Sequence, residues 1–221
     1  KLGDEYFDKQ VPVFAEQRHI MGMLLESESQ ATEVRARLED GEDFAELAGE
    51  LSLESLSKTE EGDLGWQPEG FLTRLLNTSV PDEYAFSGEV GELSQPIYDE
   101  AVNKMTGYWL IKLLDRDETE QQALAQVILL GSEEEAQGIR ARLEAGEDFA
   151  ELAKELSQHN ASKENKGQLD ISSPDMMSSA FSEFVFDSEV ELETLSRPIR
   201  DDEVMTKGGY WLLKVVDMDN N

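Results

Sequence analysis

The chain holds two histidines, His19 and His159, and no cysteine. Without a thiol there is no thiolate nucleophile, disulfide framework or cysteine-rich zinc site, and two histidines alone argue against a zinc centre of any kind. Gly62-Asp63-Leu64-Gly65 has the glycine spacing of a phosphate-holding turn. No lysine follows it and no positive charge surrounds it, so the spacing reads as a strand edged by tight turns. Asp115-Arg116-Asp117 and Asp217-Met218-Asp219 look like pieces of calcium loops, but the glycine and closing glutamate that such loops need are missing. No metal and no cofactor is expected.

Acidic side chains outnumber basic ones 49 to 19, for a formal net charge of -30. Nothing on such a chain could neutralise phosphates, which excludes a nucleic-acid partner and disfavours anionic membrane surfaces. Basic or unfolded polypeptides remain compatible partners. No apolar run reaches the roughly 18–20 residues of a membrane span. The absence of cysteine fits an oxidising, extracytoplasmic setting. Lys1 is not a natural start, which leaves room for a leader or anchor removed ahead of it.

The elements that must carry any chemistry come in two copies. Val34–Ser52 (VRARLEDGEDFAELAGELS) returns as Ile139–Ser157 (IRARLEAGEDFAELAKELS), with sixteen identities in nineteen positions at an offset of 105. Gly107–Asp117 (GYWLIKLLDRD) returns as Gly209–Asp219 (GYWLLKVVDMD) at an offset of 102. The period suits a whole domain rather than a solenoid repeat of about 20–50 residues. The expected organisation is a lead-in at 1–17, one domain at 18–118 and a second at 119–221.

Within each copy a short apolar strand (Met21–Leu25; Val127–Leu130) precedes a capping box (Ser27 to Gln30; Ser132 to Glu135). Gly41 and Gly146 are placed to end the first helix, and Asp43 and Asp148 to cap the second. In copy one a polar loop at Leu53–Glu61 leads to a strand near Gly62–Trp66 and a third helix over Gly70–Asn77. A strand at Ser94–Tyr98 then forms a closing hairpin with Gly107–Leu114. The class is α+β: two tandem domains, each a small, mostly antiparallel sheet with three to four helices.

The run G-x-D-F-A-x-L-A-x-x-x-S, then GDLGW, G-E-L-S-x-P-I and GYWLIKLLD resembles the parvulin family of peptidyl-prolyl isomerases, over nearly the whole chain. The lead-in YFDKQVPVFAEQ resembles the connector ahead of the parvulin domain in extracytoplasmic bacterial foldases. The resemblance implies an apolar slot for a proline ring, lined by a methionine and phenylalanines, beside two histidines and an aspartate or cysteine. Rotation about an X–Pro bond faces a barrier near 18–20 kcal/mol, and lowering it needs a water-poor site that favours the twisted amide, with no nucleophile or metal.

Carried over position by position, the slot reads Leu72, Leu76 and Phe86 in copy one, and Met177, Phe181 and Phe186 in copy two. The family histidine of the last strand is replaced by Trp109 and Trp211. The aspartate-or-cysteine position is Glu54 in copy one and His159 in copy two. The first histidine, counted back without gaps from Gly41 and Gly146, falls on Gly22 and Val127. His19 takes that role only in a gapped register; ungapped, it reads as an ordinary exposed histidine.

The function expected from this resemblance is a foldase, with reduced activity, acting on X–Pro bonds of unfolded or partly folded secreted clients. A parvulin-fold chaperone that binds without catalysing is the alternative. Lys58, Arg74 and Lys163 are outnumbered by acids near the slots, so no preference for phosphorylated peptides is expected.

Overall fold

The computed structural model describes residues 16–117 and 121–219. The first half contains β1 (Gln17–Leu25), α1 (Glu28–Glu39), α2 (Phe44–Leu51), α3 (Ser55–Thr59), β2 (Asp63–Pro68), α4 (Phe71–Leu76), α5 (Val80–Ser87) and β3 (Ile97–Lys104). Next come β4 (Gly107–Asp117), β5 (Gln122–Leu130), α6 (Glu133–Glu144), α7 (Phe149–Leu156), α8 (Asn160–Glu164) and β6 (Gln168–Ile171). A 3-10 turn (Pro174–Met176), α9 (Ser179–Val185), β7 (Ile199–Asp201) and β8 (Thr206–Asp219) complete the chain.

Local chemistry explains the helical part of each copy. Ser27 accepts the Gln30 amide at 3.2 Å and Ser132 the Glu135 amide at 3.2 Å, as capping boxes require. The reciprocal side chains reach one residue further back than expected, to the amides of Glu26 (3.0 Å) and Gly131 (3.1 Å). Asp43 and Asp148 cap α2 and α7. Gly62 has φ +84°, and a Cβ there would lie 2.9 Å from Phe44 and Ala48, so only glycine lets β2 start against α2. Gly167 meets Phe149 and Ala153 in the same way.

Each first strand is buried on both faces. In β1, Met23 and Leu25 pack with Ala31, Val34, Leu47 and Ala48 of α1 and α2. Ile20 and Leu24 pack on the other face with Leu64, Leu72, Ala85 and Val102. In β5, Ile128 and Leu130 meet Ala136, Ile139, Phe149, Leu152 and Ala153, while Val127 and Leu129 meet Leu113, Leu169, Ile171, Phe181 and Val185. Each fully buried leucine or isoleucine contributes about 1.5–3 kcal/mol. The second face carries the slot residues.

The sheets differ from the expected hairpin. Their strand orders are β2-β1-β8-β3 and β6-β5-β4-β7. The central strand beside β1 is β8, with Gly22 opposite Leu213 and Leu24 opposite Trp211. The strand beside β5 is β4, with Trp109 opposite Leu129. Thus Gly107–Leu114 does not form a hairpin with the strand before it; it pairs with β5 and β7. That strand also begins at Ile97 and runs to Lys104, later than the expected Ser94–Tyr98.

One compact unit accordingly comprises Lys1–Val102 with Tyr210–Asn221, and the other Asn103–Gly209. The contiguous division at 118/119 follows the sequence repeat; the compact units exchange the repeat's last strand. The physical reason lies in the strands themselves. GYWLIKLLDRD and GYWLLKVVDMD offer a sheet nearly the same side chains, so either can fill the central place.

Candidate proline-binding cleft of the second unit

Two buried serines position the candidate site. In the second unit Ser157 ends α7, and its hydroxyl accepts the backbone N–H of Leu129 at 3.1 Å and meets Ser162 Oγ at 2.8 Å. The Gln158 amide donates to the Leu129 carbonyl at 2.8 Å. The chain leaving α7 is thereby fastened to β5, which delivers His159 beside Leu129. The first unit repeats this with Ser52, Leu24 and Ser57, and with the Leu53 amide on the Leu24 carbonyl. Sequence reasoning missed both serine pairs. Their signal was recurrence: a serine at the helix end and another five residues on, in both copies.

His159 is the N-cap of α8, where its Nδ1 accepts the Ser162 amide at 3.4 Å. A ring that accepts at Nδ1 is neutral with its proton on Nε2. Burial pushes its pKa below the usual histidine range, which favours the same neutral form. Glu54 holds the matching place in the first unit as the N-cap of α3, accepting the Leu56 amide at 3.0 Å and the Ser57 amide at 2.6 Å. Its carboxylate is occupied by the helix it starts.

His159 and Met177 line one cleft of about 690 Å³, together with Leu129, Ala161, Met176, Val204 and Met205. Gln158, Asn160, Ser178 and Glu203 complete its wall. Phe181 is fully buried beneath it, and Phe186 and Met177 pack on the same core cluster. The buried Asp201 ties the two walls together. It accepts from Ser178 Oγ and, at 2.9 Å, from the Glu203 amide, so the methionine wall is fixed to the turn after β7. The first unit has the equivalent anchor in Asp99, which accepts from Thr78 Oγ1 and the Ala101 amide. Neither aspartate was singled out from sequence, because a lone acid in an acidic chain carries no local signal.

The first unit places its slot residues differently. Leu72 is fully buried, and Leu76 and Phe86 pack against the core that contains it. The Arg18 guanidinium lies 5.3 Å from the centre of the Phe86 ring. These positions pack as core, and of their counterparts in the second unit Met177 borders the cleft while Phe181 and Phe186 pack on the core. Trp109 and Trp211 have paired backbones in β4 and β8; their side chains lie outside the described residues.

His19 is not simply solvated. Its ring stacks on Trp66 with centroids 5.4 Å apart, and Nε2 lies 2.8 Å from Asp63 Oδ1. Burial raises the Asp63 pKa, but the hydrogen bonds from His19 and from the Gly65 amide outweigh it and the net shift is downward. The pair braces β1 against β2 and stands apart from Leu72 and Glu54 in its contacts. Among the described residues, no three His, Asp or Glu side chains converge as metal ligands.

The His159 cap makes a pH prediction. Above pH about 6.5 the ring is neutral folded or unfolded, and its contribution is fully present. As pH falls below about 6.5 the unfolded chain takes up a proton that the folded site resists, and stability drops until pH has passed through the lowered folded pKa. His159→Asn keeps a capping side chain and cannot titrate. Its loss of thermal stability between about pH 7.5 and about pH 5.5 is expected to be smaller than that of the unaltered chain. Equal losses in the two proteins would show that the cap does not titrate.

Comparison with known proteins identifies the family. Models of the PPIC-type PPIASE domain match residues 24–115 and residues 108–218. Chaperone SurA of Nitrosococcus oceani is 31% identical over 205 residues, covering 86% of this chain and 44% of that protein. Foldase protein PrsA of Clostridium tetani is 35% identical over 100 residues, covering 45% of this chain and 26% of that protein. PrsA of Geobacillus kaustophilus is 35% identical over 113 residues, covering 51% of this chain and 35% of that protein. The chain thus spans less than half the length of these relatives. With the two matches following one another along nearly all of it, the chain belongs to the PPIC-type, or parvulin, peptidyl-prolyl isomerase family and carries two tandem copies of that domain.

Proposed function

We propose that this chain is a foldase that accelerates cis–trans isomerisation of X–Pro bonds in extended segments of secreted client proteins, and that the cleft of the second unit is its working site. One observation carries this reading: Met177 and His159, placed from different elements, border the same mostly apolar cleft. The proline ring would rest on Met176, Met177 and Val204 over the Phe181 core. An apolar wall withholds water from the carbonyl oxygen, whose hydration favours the planar amide, and a neutral imidazole with its proton on Nε2 is a hydrogen-bond donor for the prolyl nitrogen, where the lone pair localises as the amide twists. No proton need be transferred, because isomerisation makes and breaks no covalent bond. Replacement of the family's last-strand histidine by tryptophan supports an activity below that of family members that retain it.

In the first unit a fully buried Leu72 stands in the place of Met177, which supports a lower activity for that half. If the second cleft only holds, the whole chain is a binding chaperone. An extracytoplasmic location is supported by the resemblance to extracytoplasmic foldases and by the absence of cysteine. Among the described residues, no helix is long and apolar enough to cross a membrane. Lack of phosphopeptide preference is supported by the cleft's wall, which contains Glu203 and neither lysine nor arginine. Lys58 and Arg74 instead donate to the backbone carbonyls of Glu50 and Gly70.

The test is exchange NMR on short X–Pro peptides with the full chain. Uncatalysed exchange takes tens to hundreds of seconds. The expected result is faster exchange that falls about tenfold or more in Met177→Ala, equivalent to about 1.4 kcal/mol of lost barrier lowering. Peptide binding without faster exchange would establish the chaperone reading in its place.

A further inference from the structure

We propose that the second unit's cleft selects X–Pro segments with lysine or arginine beside the proline, and that Glu203 is the residue that makes the selection; the proposal rests on this cleft being the client site. The cleft wall contains two ionisable side chains, His159 and Glu203. His159 is held neutral by its cap hydrogen bond and by burial. Glu203 is exposed and supplies the one formal charge of the wall, with no cation among the wall residues to answer it.

Glu203 is also held in place. Its amide donates to Asp201 at 2.9 Å, and its Oε1 accepts from Ser179 Oγ at 3.3 Å, across the cleft's rim from the methionine wall. The neighbouring acids are spoken for. Asp201 is buried against Ser178, and Asp202 accepts from Arg200 and Thr106. A client cation one residue from the proline would therefore meet a positioned, unpaired-in-charge carboxylate at the edge of an apolar surface, where long basic side chains lie well.

The first unit supplies an internal contrast. The matching contact lies within β3, where the Ala101 amide donates to Asp99 at 2.9 Å as Glu203 does to Asp201 just after β7. Alanine stands where the second unit has glutamate, so the backbone contact to the aspartate does not require the acid. The overall charge of -30 would attract basic clients to the whole surface, but only Glu203 makes the preference local to the residue beside the proline.

The experiment uses the full chain and three peptides that differ only in the residue before proline: lysine, leucine or glutamate. Binding is followed by amide shifts of the protein, and isomerisation by exchange NMR of the peptide. For the unaltered chain, lysine is expected to bind about fivefold more tightly than leucine and glutamate more weakly than leucine, as suits an exposed ion pair. The spread should narrow at high salt. In Glu203→Gln the ratio of lysine to leucine affinity is expected to fall to about one. An unchanged ranking in Glu203→Gln, or no ranking in the unaltered chain, overturns the proposal. Retention of the ranking without faster exchange would instead overturn catalysis and leave the selection standing.

Discussion

Ending the chain at Gly209 is expected to leave only one of the two sheets intact. The truncation removes the part of β8 that lies beside β1, where nine residues from Gln17 to Leu25 find their partners. Without it β1 loses one neighbour and the sheet of the first unit is cut between β1 and β3. β4 is close enough in sequence to replace β8, but it would then abandon β5 and β7. One strand cannot serve two sheets. A unit of about a hundred residues accounts for about 60–80 kcal/mol of unfolding enthalpy, so scanning calorimetry should lose about half of its total signal. Hydrogen exchange then reports which sheet remains: amides of either β1 or β5 should lose protection. Full protection of both strands in the truncated chain would show that neither sheet needs the exchanged strand.

Phe181→Ala should be the most damaging single substitution in the second unit. Phe181 is fully buried in a cluster with Leu113, Val127, Leu129, Leu169, Ile171 and Val185. Emptying a packed aromatic site costs about 3–5 kcal/mol, through lost burial and the cavity left behind. That is a large fraction of the about 5–15 kcal/mol that stabilises a typical domain. Denaturant melts should show the loss for the second unit, with little change in the first. Met177, half-buried on the same cluster, should cost less stability when replaced by alanine yet more activity. The two substitutions separate a residue that supports the cleft from one that borders it. A loss below about 1 kcal/mol for Phe181→Ala would mean that the cluster collapses readily into the vacated space.

The sequence was most readable where local rules act alone. Ser27, Ser132, Asp43 and Asp148 cap the helices they were expected to cap, because a side chain two or three residues from an amide needs nothing else. α3 and α8 are five residues long and start from Glu54 and His159. Glutamate and histidine are uncommon caps, so a polar loop was expected at Leu53–Glu61. The fixing of Leu24 by Ser52 and of Leu129 by Ser157 spans 28 residues, beyond the range of any periodicity. Strand partnership was the least readable. Two strands with nearly one sequence carry no information about which sheet each will join.

That indifference has a consequence during synthesis. Gly22 faces Leu213, so almost the whole chain separates a central pair of the first sheet. The stretch Gly107–Asp117 leaves the ribosome about a hundred residues before its near-copy, which at about 5–20 residues per second is about 5–20 s. Over that interval β4 is the available complement to β1, and the nascent first half can close on it as a self-contained domain. Reaching the final arrangement then requires β4 to withdraw when β5 and β8 arrive. A member of an isomerase and foldase family would in this way pass through a rearrangement of its own, timed by translation and slowed wherever the early pairing is strong.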